Sequence, residues 1–407
     1  MNFENLNLIS PLLQALKSKN YLTPTPIQEK MIPAILERHD IFGSAQTGSG
    51  KTAAFALPIL QHLHLNKPDH RGVRALVLAP TRELAQQISE NFSAYGRNLH
   101  IRNTMVFGGV SQVNQVTAIR KGVDIIVATP GRLLDLMEQK VIRLDKIEFL
   151  VLDEADRMLD MGFITDIKRI IAQIPKERQT IFCSATAPSD IKLLAKSILR
   201  NPLHVDVQST EKPADIRHEL FYVDRNNKVK LLQHLITEQA MPYVLVFTRT
   251  KRSSDKLARD LNKSGINSDA IHGNKSQSQR QRALKNFSLK KTRVLVATDV
   301  ASRGIDIKQL PHVVNFDMPE TTETYTHRIG RTGRAGASGV AVSFATSEDR
   351  DMIKPLFKLF PHLEVKEHPF TKVMKEEVAV SAPKQNGASH SAPKKPYDWK
   401  SKSRWRR

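Results

Sequence analysis

The octapeptide Ala45-Gln46-Thr47-Gly48-Ser49-Gly50-Lys51-Thr52 is preceded by a strand-like run at 40–43 and followed by an apolar stretch of helical character. Strand, glycine-rich turn and helix in that order make a loop whose backbone N–H groups turn inward on phosphate. The partial positive charge of the helix N-terminus reinforces it. In such a loop Lys51 would reach the β and γ phosphates, and the Thr52 hydroxyl would hold magnesium. Ala45 stands where the generic pattern has its first glycine.

About 100 residues on, Asp153-Glu154-Ala155-Asp156 follows the apolar run 149–152. That run aims the acids at a sheet edge, where Asp153 suits a magnesium-linked carboxylate and Glu154 can orient or deprotonate a water. Around these two segments, short β-rich runs recur at 75–79, 124–128, 180–183 and 204–207, with amphipathic stretches at 82–95 and 131–138 between them. The alternation predicts a parallel sheet with helices on both faces. A second series, at 218–223, 243–247, 268–271, 293–297, 312–316 and 339–344, predicts another. The expected fold is therefore α/β, two tandem parallel-sheet domains at 1–209 and 218–377. A linker at 210–217 joins them, and a disordered tail follows at 378–407, where Ser, Ala, Pro, Lys, Gln, Asn and Gly cannot bury enough surface to offset ordering entropy.

Composition agrees. The 407 residues are 40% hydrophobic and 25% charged, ordinary values for a folding chain of two or three domains. The single cysteine, Cys183, excludes an internal disulfide and reads as a small buried hydrophobe of a reducing cytosol. No run approaches the roughly 18 apolar residues of a membrane helix, so no membrane partner is expected and the location reads as cytoplasmic. Phe3, Leu6, Ile9, Leu12, Leu13 and Leu16 recur at helical spacing, with Glu4 where a signal peptide would carry positive charge. They predict one amphipathic helix. The net charge of +21 favours a polyanion partner. One third of that surplus lies in residues 380–407, with eight cations and one acid.

Ligands of open α/β sheets gather beyond the carboxyl ends of the strands. Here those ends read Pro80-Thr81-Arg82, Thr129-Pro130-Gly131-Arg132, Asp153-Glu154, Ser184-Ala185-Thr186, Thr248-Arg249 and Thr298-Asp299. Singly, each hydroxyl or acid is as well explained as a helix cap; together they predict one long polar site.

These segments, with Tyr21-Leu22-Thr23-Pro24-Thr25-Pro26-Ile27-Gln28 upstream and His327-Arg328-Ile329-Gly330-Arg331-Thr332-Gly333-Arg334 downstream, resemble a DEAD-box ATP-dependent RNA helicase. The resemblance runs from about residue 3 to residue 370. Residues 271–277 and the basic tail are most similar to the bacterial RhlE-type subgroup. It implies two RecA-like domains using ATP and Mg2+, with Ala45, Gln46, Thr47, Gly48, Ser49, Gly50, Lys51 and Thr52 on the phosphates. Gln28 and Tyr21 would then meet adenine, although Asn20-Tyr21 replaces the usual Gly-Phe, and Asp306 would meet the ribose. Arg331 and Arg334 would be arginine fingers, acting with Lys51, Asp153 and Glu154. RNA would be held through its backbone by Pro80, Thr81, Arg82, Gly109, Thr129 and Arg132 on one side. Arg249, Gly273 and Thr298 would hold it on the other. Asp156, Ser184, Thr186 and His327 would couple the domains. The tail, with Trp399 and Trp405 among its cations, reads as a flexible RNA anchor. Ribosomal or RNA-turnover proteins are compatible partners. A slow ATP-gated RNA clamp and a DNA-translocating helicase stay open as other readings.

Overall fold

The computed structural model describes residues 2–45, 48–67, 72–186, 188–207, 216–238, 241–299, 310–333 and 338–371. Two seven-stranded sheets, parallel throughout, organise the chain. The first contains β1 (Ile41–Ser44), β2 (Ala75–Leu78), β3 (Asn103–Val106), β4 (Ile125–Ala128), β5 (Phe149–Leu152), β6 (Gln179–Ser184) and β7 (Leu203–Asp206), in the order β3-β4-β2-β5-β6-β1-β7. The second contains β8 (Ile216–Tyr222), β9 (Val244–Phe247), β10 (Ser268–Ile271), β11 (Val294–Ala297), β12 (His312–Asn315), β13 (Gly339–Ala345) and β14 (Glu364–Val365), in the order β10-β11-β9-β12-β13-β8-β14. This is the expected tandem RecA-like architecture. The predicted tail lies outside the described residues.

Each strand sorts its side chains by the period of two. Val77, Val151 and Ile181 enter the core on one face of the first sheet with Ile27, Phe55 and Phe92. Their neighbours Leu76, Leu150, Leu152 and Phe182 enter the other, with Leu133 and Met158. Val244, Val246, Val294 and Val296 against Leu245, Phe247, Leu295 and Ala297 repeat the pattern in the second sheet. Burial on both faces is why these runs are continuously apolar, and each such side chain contributes roughly 1.5–3 kcal/mol. Cys183 is fully buried, as expected.

Besides the short edge strand β14, which the sequence reading does not contain, two differences from that reading have local causes. Edge strand β3 was not anticipated because Asn103, Thr104 and Met105 are only half-buried and form no apolar run. The single N-terminal helix is instead a 3₁₀ turn, Phe3–Leu6, and a helix, Ser10–Ser18. Asn7 between them is left-handed at φ 55°. The Gln61 amide clamps the break: it donates to the Asn7 carbonyl at 2.8 Å and accepts from Ile9 N–H at 2.9 Å. Phe3, Leu6, Leu12 and Leu16 all reach the core, from two elements rather than one.

Candidate nucleotide and nucleic-acid site

The phosphate loop leaves β1 and enters the helix Lys51–Leu65 through Gly48 and Gly50, at φ 89° and 95°. A Cβ on Gly50 would stand 2.5 Å from Gln28 Nε2 and 2.9 Å from Thr25 Oγ1, so glycine is demanded by conformation and by space. Those contacts strap the upstream segment onto the loop. Thr25 Oγ1 donates to the Ser49 carbonyl at 2.8 Å, and Gln28 Nε2 donates to the Gly50 carbonyl at 3.1 Å. Gln28 Oε1 accepts from Thr25 N–H at 2.9 Å, completing a capping box at the helix Pro26–Leu36. The buried Gln28 amide thus has one donor and one acceptor engaged within the protein, and keeps one of each for a ligand. Tyr21 lies 6.3 Å from the Tyr95 ring.

Lys51, buried, donates Nζ to the Ala45 carbonyl across the loop. Ser49 Oγ is buried with no hydrogen-bond partner among the described residues, an orphan that a phosphate oxygen would satisfy. At the end of β5, burial pushes the Asp153 carboxyl up to about 6, against the attraction of Lys51 and with the repulsion of Glu154. A carboxylate so placed gains from a cation. Among the described residues no group of three or more His, Cys, Asp or Glu could hold a metal, so a magnesium ion here would draw most of its shell from phosphate and water. Thr52, half-buried in the first turn of Lys51–Leu65, and Asp153, buried at the end of β5, are the two residues expected to face such an ion.

Glu154 takes a left-handed turn at φ 53°, which a non-glycine residue adopts only when held. Arg157 holds it, donating to Glu154 Oε2 at 2.5 Å with both side chains buried. Asp156 Oδ2 accepts from the backbone N–H of Ala185 at 3.1 Å and of Thr186 at 2.9 Å, and from Thr186 Oγ1 at 3.0 Å. Ser184 Oγ donates to the Thr186 carbonyl at 2.6 Å. Three of the four expected coupling residues are thereby one network beside the acids. The fourth, His327, stands on the helix Thr322–Ile329 of the second unit. Arg331, buried, follows that helix, which Arg328 anchors through a bidentate ion pair to Asp299 at 2.6 and 2.8 Å. Gln46, Thr47, Asp306 and Arg334 lie outside the described residues.

The expected nucleic-acid residues occupy the carboxyl ends of their strands. Gly109, Arg249 and Gly273 are exposed, whereas Pro80, Thr81, Thr129 and Thr298 are buried. Thr81 Oγ1 accepts from Leu84 N–H at 3.3 Å, so this hydroxyl does cap its helix, Arg82–Tyr95. The Arg82 guanidinium lies over Gly109, 2.3 Å from where a Cβ would stand. Burial first, then the nearby Arg280 cation, press the Arg82 pKa down. Arg132 donates to the Val110 carbonyl at 3.3 and 3.4 Å, bracing the same loop. Across from it, Arg249 N–H donates to Asp317 at 2.9 Å, and Lys251 packs 3.5 Å from the Cβ position of Gly273.

Sequence reasoning gave no role to the contact that joins the two units. Arg280 donates to Glu83 Oε1 at 2.9 Å, Gln277 Nε2 reaches the same oxygen at 3.4 Å, and Gln281 Nε2 donates to Gln86 Oε1 at 2.8 Å. Glu83 and Arg280 are nearly covered. A buried cation and a buried acid some 200 residues apart carry no local pattern that would pair them.

Two family models match the chain: DEAD/DEAH box helicase over residues 25–194 and helicase conserved C-terminal domain over 227–336. The chain belongs to the DEAD-box helicase family. It is 42% identical over 357 residues to the DEAD-box ATP-dependent RNA helicase CshA of Bacillus subtilis, spanning 88% of this chain and 72% of the relative. Among solved structures it is similar to S. cerevisiae Dbp5 bound to RNA and ADP BeF3. That likeness has a TM-score of 0.79 at 32% identity and covers 90% of this chain and 95% of the other. A DEAD box protein from the hyperthermophile Methanococcus jannaschii covers 90% of this chain and 98% of its own at 38% identity, with a TM-score of 0.51. Among the described residues of this helicase, no helix is long and apolar enough to cross a membrane.

Proposed function

We propose that the protein is an ATP-dependent RNA helicase that closes two RecA-like units on ATP and on an RNA backbone, and so couples hydrolysis to local strand separation. The observation that carries this reading is the arrangement of the units. The phosphate loop, the Asp153-Glu154 turn and the buried Glu83–Arg280 bridge occur together in a chain similar over both units to an RNA-bound relative. Lys51, Ser49 and the loop amides would hold the phosphates, and Gln28 and Tyr21 the adenine. Thr52 and Asp153 would hold magnesium, which when bound neutralises charge developing on the phosphates. Glu154, kept in place by Arg157, would orient the attacking water. Arg331 and Arg334 would complete the site from the second unit and Asp306 would meet the ribose, so ATP and RNA favour each other's binding through closure. Pro80, Thr81, Arg82, Gly109, Thr129, Arg132, Arg249, Gly273 and Thr298 would line the RNA path. We place the domains at 1–209 and 218–377, the basic tail at 378–407, and the enzyme in the cytoplasm. The RhlE-type placement rests on residues 271–277 and the tail; the relative reported above is a CshA protein.

Steady-state ATPase rates without nucleic acid, with single-stranded RNA and with matched DNA test the proposal, with Glu154→Gln as control. Stimulation by RNA of 10-fold or more, absent in the variant, is the expected result. A rate indifferent to RNA, or raised equally by DNA, overturns it.

A further inference from the structure

The net positive charge of the second unit comes from one stretch of its sequence. Residues 249–293 hold thirteen Lys and Arg against three Asp, an excess of ten; the remainder of 211–379 holds sixteen cations against seventeen acids. These 45 residues include the edge strand of the second sheet, β10, and the two helices packed against it, Lys251–Lys263 and Gln277–Ser288.

On Lys251–Lys263 the cations form a line. At about 100° per residue, Arg252, Lys256, Arg259 and Lys263 fall within roughly 60° of one another and extend about 16 Å along the helix. All four are exposed, directly opposite the buried Ser254, Leu257, Ala258 and Leu261. None makes an ion pair among the described residues. Of the three acids nearby, Asp255 is engaged by His272 at 3.0 Å and Lys275 at 2.8 Å, and Asp269 accepts from Thr292. Only Asp260 borders the line unengaged by another side chain among the described residues.

Such a row works against its own helix. Like charges three and four residues apart repel, and the first turn carries Lys251 and Arg252 and no acid, the wrong sign for a helix N-terminus. A merely solvated face would mix signs. The row begins one residue after Lys251, whose side chain packs 3.5 Å from the Cβ position of Gly273, a residue of the proposed RNA path.

We infer that Arg252, Lys256, Arg259 and Lys263 form a second RNA-backbone surface, which takes the phosphates of the strand beyond the interdomain cleft without regard to sequence. This rests on the RNA helicase reading and deepens it. The ridge grips RNA that the cleft does not cover, so the enzyme favours substrates with single-stranded or duplex extensions over minimal ones.

The test compares full-length protein with the quadruple variant Arg252→Gln, Lys256→Gln, Arg259→Gln and Lys263→Gln. The half-saturating RNA concentration for ATPase is measured with an RNA of about 8 nucleotides and one of about 30, bracketing a typical single-strand site. Wild type should prefer the longer RNA. The variant should lose about 10-fold or more on it while keeping the short-RNA value and the maximal rate, and its salt slope on the long RNA should fall by up to ~0.7 per lost contact. Identical long-RNA affinity and slope in variant and wild type overturn the ridge, including the case in which the face serves a protein instead. A wild type that no RNA stimulates overturns the helicase reading itself. A variant equally weakened on both RNAs, with its circular dichroism spectrum intact, also overturns the ridge, since the defect then lies in the cleft.

Discussion

At the residue scale the site is built from groups that the fold holds away from their preferred states. Asp153 is fully buried beside Glu154 and its carboxyl sits near 6 instead of 3.8. A carboxyl raised on folding favours the native state while protonated and loses that contribution as pH rises through its folded value. Without nucleotide or metal, wild type should therefore lose about 2 kcal/mol relative to Asp153→Asn between pH 4 and pH 6.5, with no further change above. Urea denaturation of both proteins across that range measures it, and a pH-independent difference would contradict the burial argument. Glu154 shows a different strain, a left-handed backbone that the Arg157 bridge sustains. Its type and place were legible in the acidic tetrad; its conformation was not, because Arg157 reads as an ordinary helix cation until it is found buried.

Between elements, small polar links turn neighbouring segments into one unit. Thr25 caps the helix Pro26–Leu36 and also donates to the phosphate loop at Ser49. Thr25→Val keeps the shape and removes both bonds. The expected cost is about 1 kcal/mol in stability. A several-fold rise in the ATP concentration for half-maximal rate should accompany it, since the loop loses a strap; equilibrium unfolding and nucleotide titration measure the two effects. The strands were readable because a parallel strand buried on both faces must be apolar throughout, as 149–152 and 294–297 are. Edge strand β3 escaped because an edge is wetter and its residues mix polar with apolar. The N-terminal periodicity was real, yet Gln61, more than 50 residues away, decided that two elements would carry it.

For the whole molecule, the Glu83–Arg280 bridge is where the two units meet through buried charge. Removing one partner of a covered pair strands the other, a penalty of about 3–5 kcal/mol that applies only while the units are together. Arg280→Ala should leave the thermal stability of the separated units and ATP binding close to wild type. RNA-stimulated ATPase should drop 10-fold or more, seen as a fall in kcat/KM for RNA. Unchanged RNA stimulation would mean that the bridge does not contribute to closure. The fold class, the two-unit organisation, the phosphate loop, the acidic tetrad and the polar strand ends were all determined by local sequence. Each depends on periodicity or on residues within a few positions of one another, and the parallel α/β plan places strand ends together without further instruction. Tertiary structure alone decided that Gln28 straps the loop, that Arg157 is buried against Glu154 and that Arg280 meets Glu83. The first and last join residues far apart in the chain and the second turns on the burial of two residues three apart, so desolvation and the docking of whole elements select them and no run of neighbouring residues signals them.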